Sequence, residues 1–176
     1  MRYVFENPDP FINSCISESL KYGYFGWNLD WEPTDSVTAE DGNNYAKFIS
    51  YFADKLHANN LKLSVDIATW SSIWNYTAIA ATSVDYGISM GTYTSSDSSF
   101  SSQLDKVYVA FGSARTGVGL ETVNASTEGV IPLDEVTWRF DEIIKSGAKE
   151  VDLWKMPVPE GWWPILANFV FGNSKN

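Results

Sequence analysis

The chain has 176 residues, the size of one domain, and a formal net charge of −10. Its 12 Lys and Arg residues form no cluster, which argues against nucleic acid and anionic membranes as partners and favours a neutral or cationic ligand. With one Cys and one His, the sequence provides neither a disulfide nor a cluster of metal ligands, so we expect no metal and no other cofactor.

Apolar spacing and turn residues predict helices and strands in alternation. The first helix begins at Asn7-Pro8, a pair typical of a helix start, and runs through Leu20. The segment 100–111 has strand propensity as well as helical spacing, and we choose a helix. The other predicted helices cover 38–59, 74–81, 132–147 and 162–172. The predicted strands cover 23–33, 61–69, 84–93, 115–123 and 150–156.

This alternation implies a mostly parallel sheet, either doubly wound or closed as a barrel. In both architectures ligands bind at the carboxyl ends of the strands. The residues predicted at those ends are acidic, polar or aromatic: Glu32, Thr69, Trp70, Tyr93, Glu121 and Trp154. Aromatic rings at such a site suit the flat faces of sugars, although the same rings could equally fill the core.

The segment GYFGWNLDWEP, which begins at Gly23, places two carboxylates and an amide in a predicted strand. Successive strand side chains point to opposite faces, so Asn28, Asp30 and Glu32 share one face and two Trp side chains share the other. Buried carboxylates are costly unless they are paired, so this strand is expected to end in a wet cleft. The alternative is an ordinary edge strand with solvated acids.

This segment resembles the signature strand of the family 18 glycoside hydrolases, the chitinases and chitinase-like proteins. Their pattern is roughly D-G-x-D-x-D-x-E on the fourth strand of a TIM barrel. Phe25 stands at the first Asp and Asn28 at the second, whereas Asp30 and Glu32 match the third Asp and the acid.

Three later segments carry weaker matches to the same family. ISMGTY at 88–93, with Met90 and Tyr93, resembles the Met-x-Tyr element of strand six with one extra residue. RTGVGLE resembles strand seven, and Trp154 falls where the family keeps a tryptophan on strand eight. The resemblance therefore covers nearly the whole chain.

The fold that the resemblance implies is α/β, of the (β/α)8 TIM-barrel type. A complete barrel takes about 250 residues, so we expect an incomplete one with about strands 4 to 8, and at most part of strand 3 from residues 2–5. The chain would then be truncated at its N-terminus and form a single partial catalytic domain over 1–176. An exposed barrel edge would favour self-association.

The activity that the resemblance implies is hydrolysis of chitin or chito-oligosaccharides, which are β-1,4-linked N-acetylglucosamine polymers. The reaction is retaining and assisted by the substrate. Glu32 would be the general acid, Asp30 would orient the substrate acetamido group, and Tyr93 would hydrogen-bond its carbonyl. Asn28 replaces an acid that tunes the next Asp, so we expect slower turnover or a shifted pH profile. The expected substrate-binding residues are Trp154, Trp70, Met90 and Glu121.

Other interpretations remain open at this point. The chain could be a catalytically impaired chitinase-like lectin, an inactive fragment, or another polysaccharide hydrolase such as an endoglycosidase acting on N-glycans. The first ten residues lack the apolar core of a signal peptide. The sequons at Asn75 and Asn124 nevertheless fit a secretory route for the full-length form.

Overall fold

The computed structural model describes residues 1–124 and 127–172, and helices alternate with strands along them. The helices are α1 (Arg2–Glu6), α2 (Pro8–Tyr22), α3 (Ala39–His57), α4 (Tyr76–Ala80), α5 (Asp97–Phe111), α6 (Leu133–Ser146) and α7 (Trp163–Ala167). The strands are β1 (Gly26–Leu29), β2 (Lys62–Ile67), β3 (Tyr86–Ser89), β4 (Thr116–Glu121) and β5 (Glu150–Trp154).

The five strands form one sheet in the order β1-β2-β3-β4-β5, so each strand lies beside its neighbour in sequence. β1 and β2 are parallel, with Gly26 opposite Lys62. β4 and β5 are also parallel, with Gly117 opposite Glu150. Parallel neighbours joined through helices are the repeating unit of a TIM barrel. The predicted alternation and parallel pairing are confirmed.

The chain divides into two compact units, Met1–Gly87 and Ile88–Asn176. In the first unit, α3 begins with a capping box between Thr38 and Asp41, whose side chains accept each other's backbone N–H groups. Its apolar residues recur every three or four positions and are buried, as are alternate residues of β2. These core residues are Tyr45, Ile49, Phe52, Leu56, Leu63, Val65 and Ile67.

In the second unit, β4 is buried along almost its whole length. The ambiguous segment before it is helical, as predicted, because its apolar stripe packs into the core and the Ser96 hydroxyl caps its first turn. α6 ends at Gly147, whose φ of 75° suits a residue without a side chain. The buried residues of α5 and α6 include Phe100, Leu104, Val107, Phe111, Val136, Phe140 and Ile143.

Residues 2–5 do not supply a sixth strand, and that part of the prediction is wrong. They form α1, because a single helical turn brings the Phe5 ring within 5.3 Å of Trp31 and 5.6 Å of Phe48, centroid to centroid. Tertiary packing here overrides the strand propensity of the segment. The predicted helix at 162–172 is also interrupted, since α7 lies between a 3-10 turn at Glu160–Trp162 and a π-helical turn at Asn168–Gly172.

The prediction of a single domain over 1–176 stays a prediction. Within the described residues, no helix combines the length and the apolar character that crossing a membrane requires.

Candidate active site

Burial alternates from residue to residue where β1 ends. Asn28, Asp30 and Glu32 are exposed, whereas Leu29 is buried and Trp31 is half-buried. The Trp31 ring packs edge-on against Phe5, at 5.3 Å, and against Tyr45, at 5.1 Å. The apolar side chains therefore anchor this segment in the core, and the amide and the two carboxylates lie on its open face.

Asn28 is tied to the neighbouring strand through its side chain. Its Nδ2 donates to Ser64 Oγ at 3.1 Å and to Asp66 Oδ1 at 3.0 Å, and Ser64 is its partner in the strand register. Asp66, whose role the sequence leaves undecided, therefore lies beside the signature residues. An aspartate at position 28 would meet Asp66 as a like charge, whereas an amide can donate to it.

Tyr45 lies in the core beside the signature segment. Its hydroxyl is buried and, in the described part of the chain, has no hydrogen-bond partner. Burial first, and then the negative charges of Asp66 and Asp30, raise the pKa of Tyr45 far above its ordinary value, so the phenol stays neutral. Burial also raises the pKa of the Asp30 carboxyl, because surrounding protein atoms replace part of its water even though the side chain is exposed.

Glu32 lines an open cavity of about 360 Å³, near the lower end of the range for ligand pockets. The other walls are the chain start, Trp31 and the loop 33–37. Arg2 fixes that loop, since its Nη2 donates to Ser36 O at 2.9 Å and its Nε to Asp41 Oδ1 at 2.7 Å. Arg2 and the backbone N–H of Thr38 hold the pKa of Asp41 well below its ordinary value.

Tyr93 is half-buried in the second unit, and its ring covers Gly119 of β4. A Cβ on Gly119 would lie 2.8 Å from Tyr93 Cε1 and 2.8 Å from Ser89 O, so only glycine fits there. The Thr92 hydroxyl binds the carbonyl oxygens of Ser89, at 2.5 Å, and Gly119, at 2.7 Å. Met90 is 3% exposed, so its side chain is buried in the core.

Glu121 and Trp154 are the last residues of β4 and β5 and lie opposite each other in the register. The Trp154 side chain is 62% exposed. Buried Thr122 fixes the backbone beside it, because its N–H donates to Trp154 O at 2.7 Å and its hydroxyl accepts from Lys155 N at 3.1 Å. In the first unit, Trp70 is 58% exposed and rests edge-on against Trp74 at 5.4 Å.

Within the first unit, the structure thus brings Asn28 together with Asp66 and places Glu32 in a cavity. Within the second, it brings Tyr93 onto Gly119 and Glu121 beside Trp154. No group of three or more His, Cys, Asp and Glu side chains in the described ranges is arranged to hold a metal ion.

Sequence reasoning missed several residues that lie beside the candidate residues of each unit. No local sequence motif indicates the contacts made by Thr92, Thr122 and Tyr45. Glu150 and Asp152, however, alternate with apolar residues on the strand that ends at Trp154, a pattern that resembles the acids of β1. Burial raises the pKa of both carboxyls, and the charge of Asp152 raises that of Glu150 further.

The fold is that of the chitinase-like TIM barrels, and in this chain the barrel is incomplete. A chitinase from Chromobacterium violaceum matches with a TM-score of 0.75 at 14% identity, over 91% of this chain and 70% of its own. The spore cortex-lytic enzyme SleL from Bacillus megaterium matches with a TM-score of 0.76 at 14% identity, over 96% of this chain and 55% of its own.

A third neighbour was crystallised with a sugar. Catalytic domain 2 of the Ostrinia furnacalis Group II chitinase, in complex with penta-N-acetylchitooctaose, matches with a TM-score of 0.52 at 14% identity, over 64% of this chain and 38% of its own. No protein-family profile and no curated protein sequence matches the chain. The structural matches nevertheless confirm the resemblance to family 18 glycoside hydrolases at the level of the fold.

Proposed function

We propose that this chain carries the site of a chitinase-like glycoside hydrolase that cleaves β-1,4-linked N-acetylglucosamine polymers. The observation that carries the proposal is the alternation at the end of β1. Trp31 is anchored between Phe5 and Tyr45, Asp30 and Glu32 lie on the open face, and Glu32 lines a cavity. A proton donor and a second carboxylate are thus held two residues apart on a fixed backbone.

The reaction begins when Glu32 donates its proton to the glycosidic oxygen. As the bond to the leaving sugar breaks, the acetamido carbonyl oxygen of the substrate attacks its own anomeric carbon and forms an oxazolinium ion. Asp30 accepts a hydrogen bond from the acetamido N–H, and the negative charge of Asp30 stabilises the oxazolinium cation. Water then attacks the anomeric carbon, the bond from that carbon to the acetamido oxygen breaks, and the water gives up a proton to Glu32. The acid is thereby restored, and two inversions leave the sugar configuration unchanged.

Burial raises the pKa of Asp30, so its carboxylate is a stronger hydrogen-bond acceptor for the acetamido N–H once it is deprotonated. Asn28 cannot share a proton with Asp30 as an acid would. Instead, Asn28 Nδ2 donates to Asp66 Oδ1, which keeps the negative charge of that carboxylate near the oxazolinium cation.

The remaining site residues bind substrate in this proposal. Tyr93, supported by Gly119, hydrogen-bonds the acetamido carbonyl. The exposed Trp154 and Trp70 stack on sugar faces, Glu121 contacts sugar hydroxyls, and Met90 supports the loop. The Ostrinia furnacalis complex with a chito-oligosaccharide supports an N-acetylglucosamine oligomer as the partner.

The proposal extends to location and assembly. Asn75 is exposed, as a glycan acceptor must be, which supports a secretory route for the full-length form. The sequon at Asn124 extends over 125–126, outside the described residues. β1 is an end strand of the sheet and Phe25 beside it is 77% exposed, which supports self-association through that edge.

Hydrolysis of fluorogenic chitobiose and chitotriose substrates tests the proposal. We expect Glu32→Gln to lower kcat by about 10²- to 10⁴-fold. Glu18→Gln, which makes the same change at an exposed position of α2, should leave kcat unchanged. Equal activity of wild type and Glu32→Gln contradicts the role of Glu32.

A second candidate is a chitinase-like lectin without catalysis, and the amide at Asn28 favours it. In that case wild type and Glu32→Gln are equally inert yet bind chitin oligomers with the same affinity. Titration of tryptophan fluorescence with chitotriose distinguishes the two functions.

A further inference from the structure

Arg139 of α6 is a charged side chain buried in the second unit. It is 3% exposed, and removing a guanidinium from water is costly unless its contacts replace the lost hydration. Its position on the helix does not require a charge, because its neighbours Val136, Phe140 and Ile143 form an apolar stripe. The contacts of Arg139 show which parts of the second unit this buried side chain joins.

Three groups surround the guanidinium. Nη2 donates to Glu135 Oε1 at 2.5 Å, one turn earlier on the same helix. The guanidinium carbon lies 5.3 Å from the centroid of the Phe100 ring, in a cation–π contact. Nη2 also donates to the backbone carbonyl of Thr94, a residue 45 positions away in sequence. That last contact is the long-range one.

Thr94 follows Tyr93 in the loop 90–96, which joins β3 to α5. The loop is closed by backbone bonds from Tyr93 N to Met90 O, at 3.0 Å, and from Thr94 N to Thr92 O, at 2.9 Å. The Thr92 hydroxyl, bound to the Gly119 carbonyl of β4, holds the residue before Tyr93. Arg139 holds the residue after it, so the backbone on both sides of Tyr93 is fixed by a polar contact.

We propose that Arg139 is a positioning residue for Tyr93: by binding the Thr94 carbonyl it fixes the loop so that the Tyr93 ring and its hydroxyl keep their place over Gly119. The inference rests on the proposed function, in which Tyr93 binds the acetamido carbonyl. A group that orients the reacting acetamido must be placed to within a fraction of an ångström, because misplacement by 1 Å costs about 10²-fold in rate. A buried guanidinium, rigid and able to bind two oxygens, suits that demand.

The test uses three variants of the full chain. Arg139→Met removes the charge and keeps most of the volume, and Arg139→Lys keeps the charge but not the planar fork. Glu135→Gln is the matched control, because it weakens the ion pair on the helix and leaves the contact with Thr94 in place. Each is made with and without Tyr93→Phe.

In hydrolysis of the fluorogenic chitotriose substrate, we expect Arg139→Met to lower kcat about tenfold or more with a smaller change in KM. Arg139→Lys should retain an intermediate kcat, and Glu135→Gln should stay within twofold of wild type. In the Tyr93→Phe background, Arg139→Met should cost less than twofold. An equal loss with and without the Tyr93 hydroxyl overturns the proposal, since it indicates general damage to the fold.

A second readout does not depend on activity. The chain has nine Tyr residues, so labelling with 3-fluorotyrosine gives up to nine ¹⁹F resonances, of which Tyr93→Phe identifies one. We expect that resonance to shift or broaden in Arg139→Met and Arg139→Lys, and to stay in place in Glu135→Gln. If Arg139→Met does not fold, Arg139→Lys decides alone. An unmoved Tyr93 resonance overturns the positioning role even if hydrolysis is confirmed, whereas a moved resonance in an inactive protein supports it and contradicts only the proposed function.

Discussion

Asn28 Nδ2 donates a hydrogen bond to Asp66 Oδ1 across the β1–β2 pair, at 3.0 Å. The amide therefore stands beside a carboxylate at the place where the family pattern has an acid. The departure from that pattern and the presence of Asp66 on the next strand are physically linked, because two carboxylates at this distance would repel each other.

The first prediction follows from that pair. Asn28→Asp should lower the free energy of unfolding by about 1 kcal/mol at pH 7, since a hydrogen bond is replaced by repulsion at a largely exposed site. In this variant each carboxylate would oppose ionisation of the other, so the penalty should shrink at pH 4, where one of them binds a proton. Urea denaturation at the two pH values measures this. The double variant Asn28→Asp/Asp66→Asn should recover stability, and a penalty independent of pH contradicts the explanation.

A second prediction concerns Asp85, which joins three donors at the start of β2. It accepts from Lys62 Nζ at 2.6 Å, from His57 Nε2 at 2.8 Å and from Leu63 N at 2.9 Å. Burial works to raise the pKa of Asp85, but the hydrogen bonds from His57, Lys62 and Leu63 outweigh it, so its pKa is lowered.

Because the folded pKa of Asp85 lies below the unfolded value of about 3.9, its stabilisation is present above pH 4 and is lost as the pH falls through the folded pKa. Asp85→Asn should therefore cost about 2 kcal/mol at pH 6 and much less at pH 2. Urea denaturation at both pH values measures the difference, with the exposed Glu18→Gln as a control of similar charge change. A cost that persists unchanged in acid is the result that would falsify this account.

The third prediction tests the contact between Gly119 and Tyr93. A methyl group at 119 lies within 2.9 Å of both the Tyr93 ring and Ser89 O, so Gly119→Ala should destabilise the chain by about 2 kcal/mol and displace Tyr93. Gly129→Ala is the control, because the nearest contact there, among the described residues, is Thr127 Oγ1 at 3.1 Å. Thermal unfolding and chitotriose hydrolysis measure the two effects. Wild-type stability in Gly119→Ala is incompatible with the packing described.

The fourth prediction concerns Trp154. Since its ring is mostly exposed while Thr122 fixes its backbone, Trp154→Ala should weaken binding of chitotriose roughly tenfold with little change in stability. Trp163→Ala removes a similarly exposed ring from α7 and should leave binding unchanged. Isothermal titration calorimetry measures both affinities. Equal affinities in the two variants would remove Trp154 from the binding site.

Periodicity in the sequence predicts the alternating helices and strands, because an apolar stripe such as that of Tyr45, Ile49 and Phe52 records which face of a helix is buried. It fails at α1, where five residues are too few to show a period and the packing of Phe5 decides. Strand lengths are also overestimated, since β1 and β3 each pair over four residues.

The residues of the candidate site are likewise only partly predictable from the sequence. Asp30 and Glu32 can be recognised because they interrupt an apolar pattern within a few residues of chain. Thr92, Thr122 and Arg139 cannot, because their partners lie 27 to 45 positions away and each is an ordinary residue for its local segment. Sequence thus identifies the candidate ligand-binding residues, and only the fold identifies those that hold them.

The placement of Trp31 between Asp30 and Glu32 has one more consequence. The Trp31 ring packs against both Phe5 and Tyr45. A shift of this ring would therefore move Asp30 and Glu32 together, because both are its neighbours in the chain. Substitutions on the open face of β1 can therefore be made without disturbing this packing, whereas Trp31 must keep its size and shape.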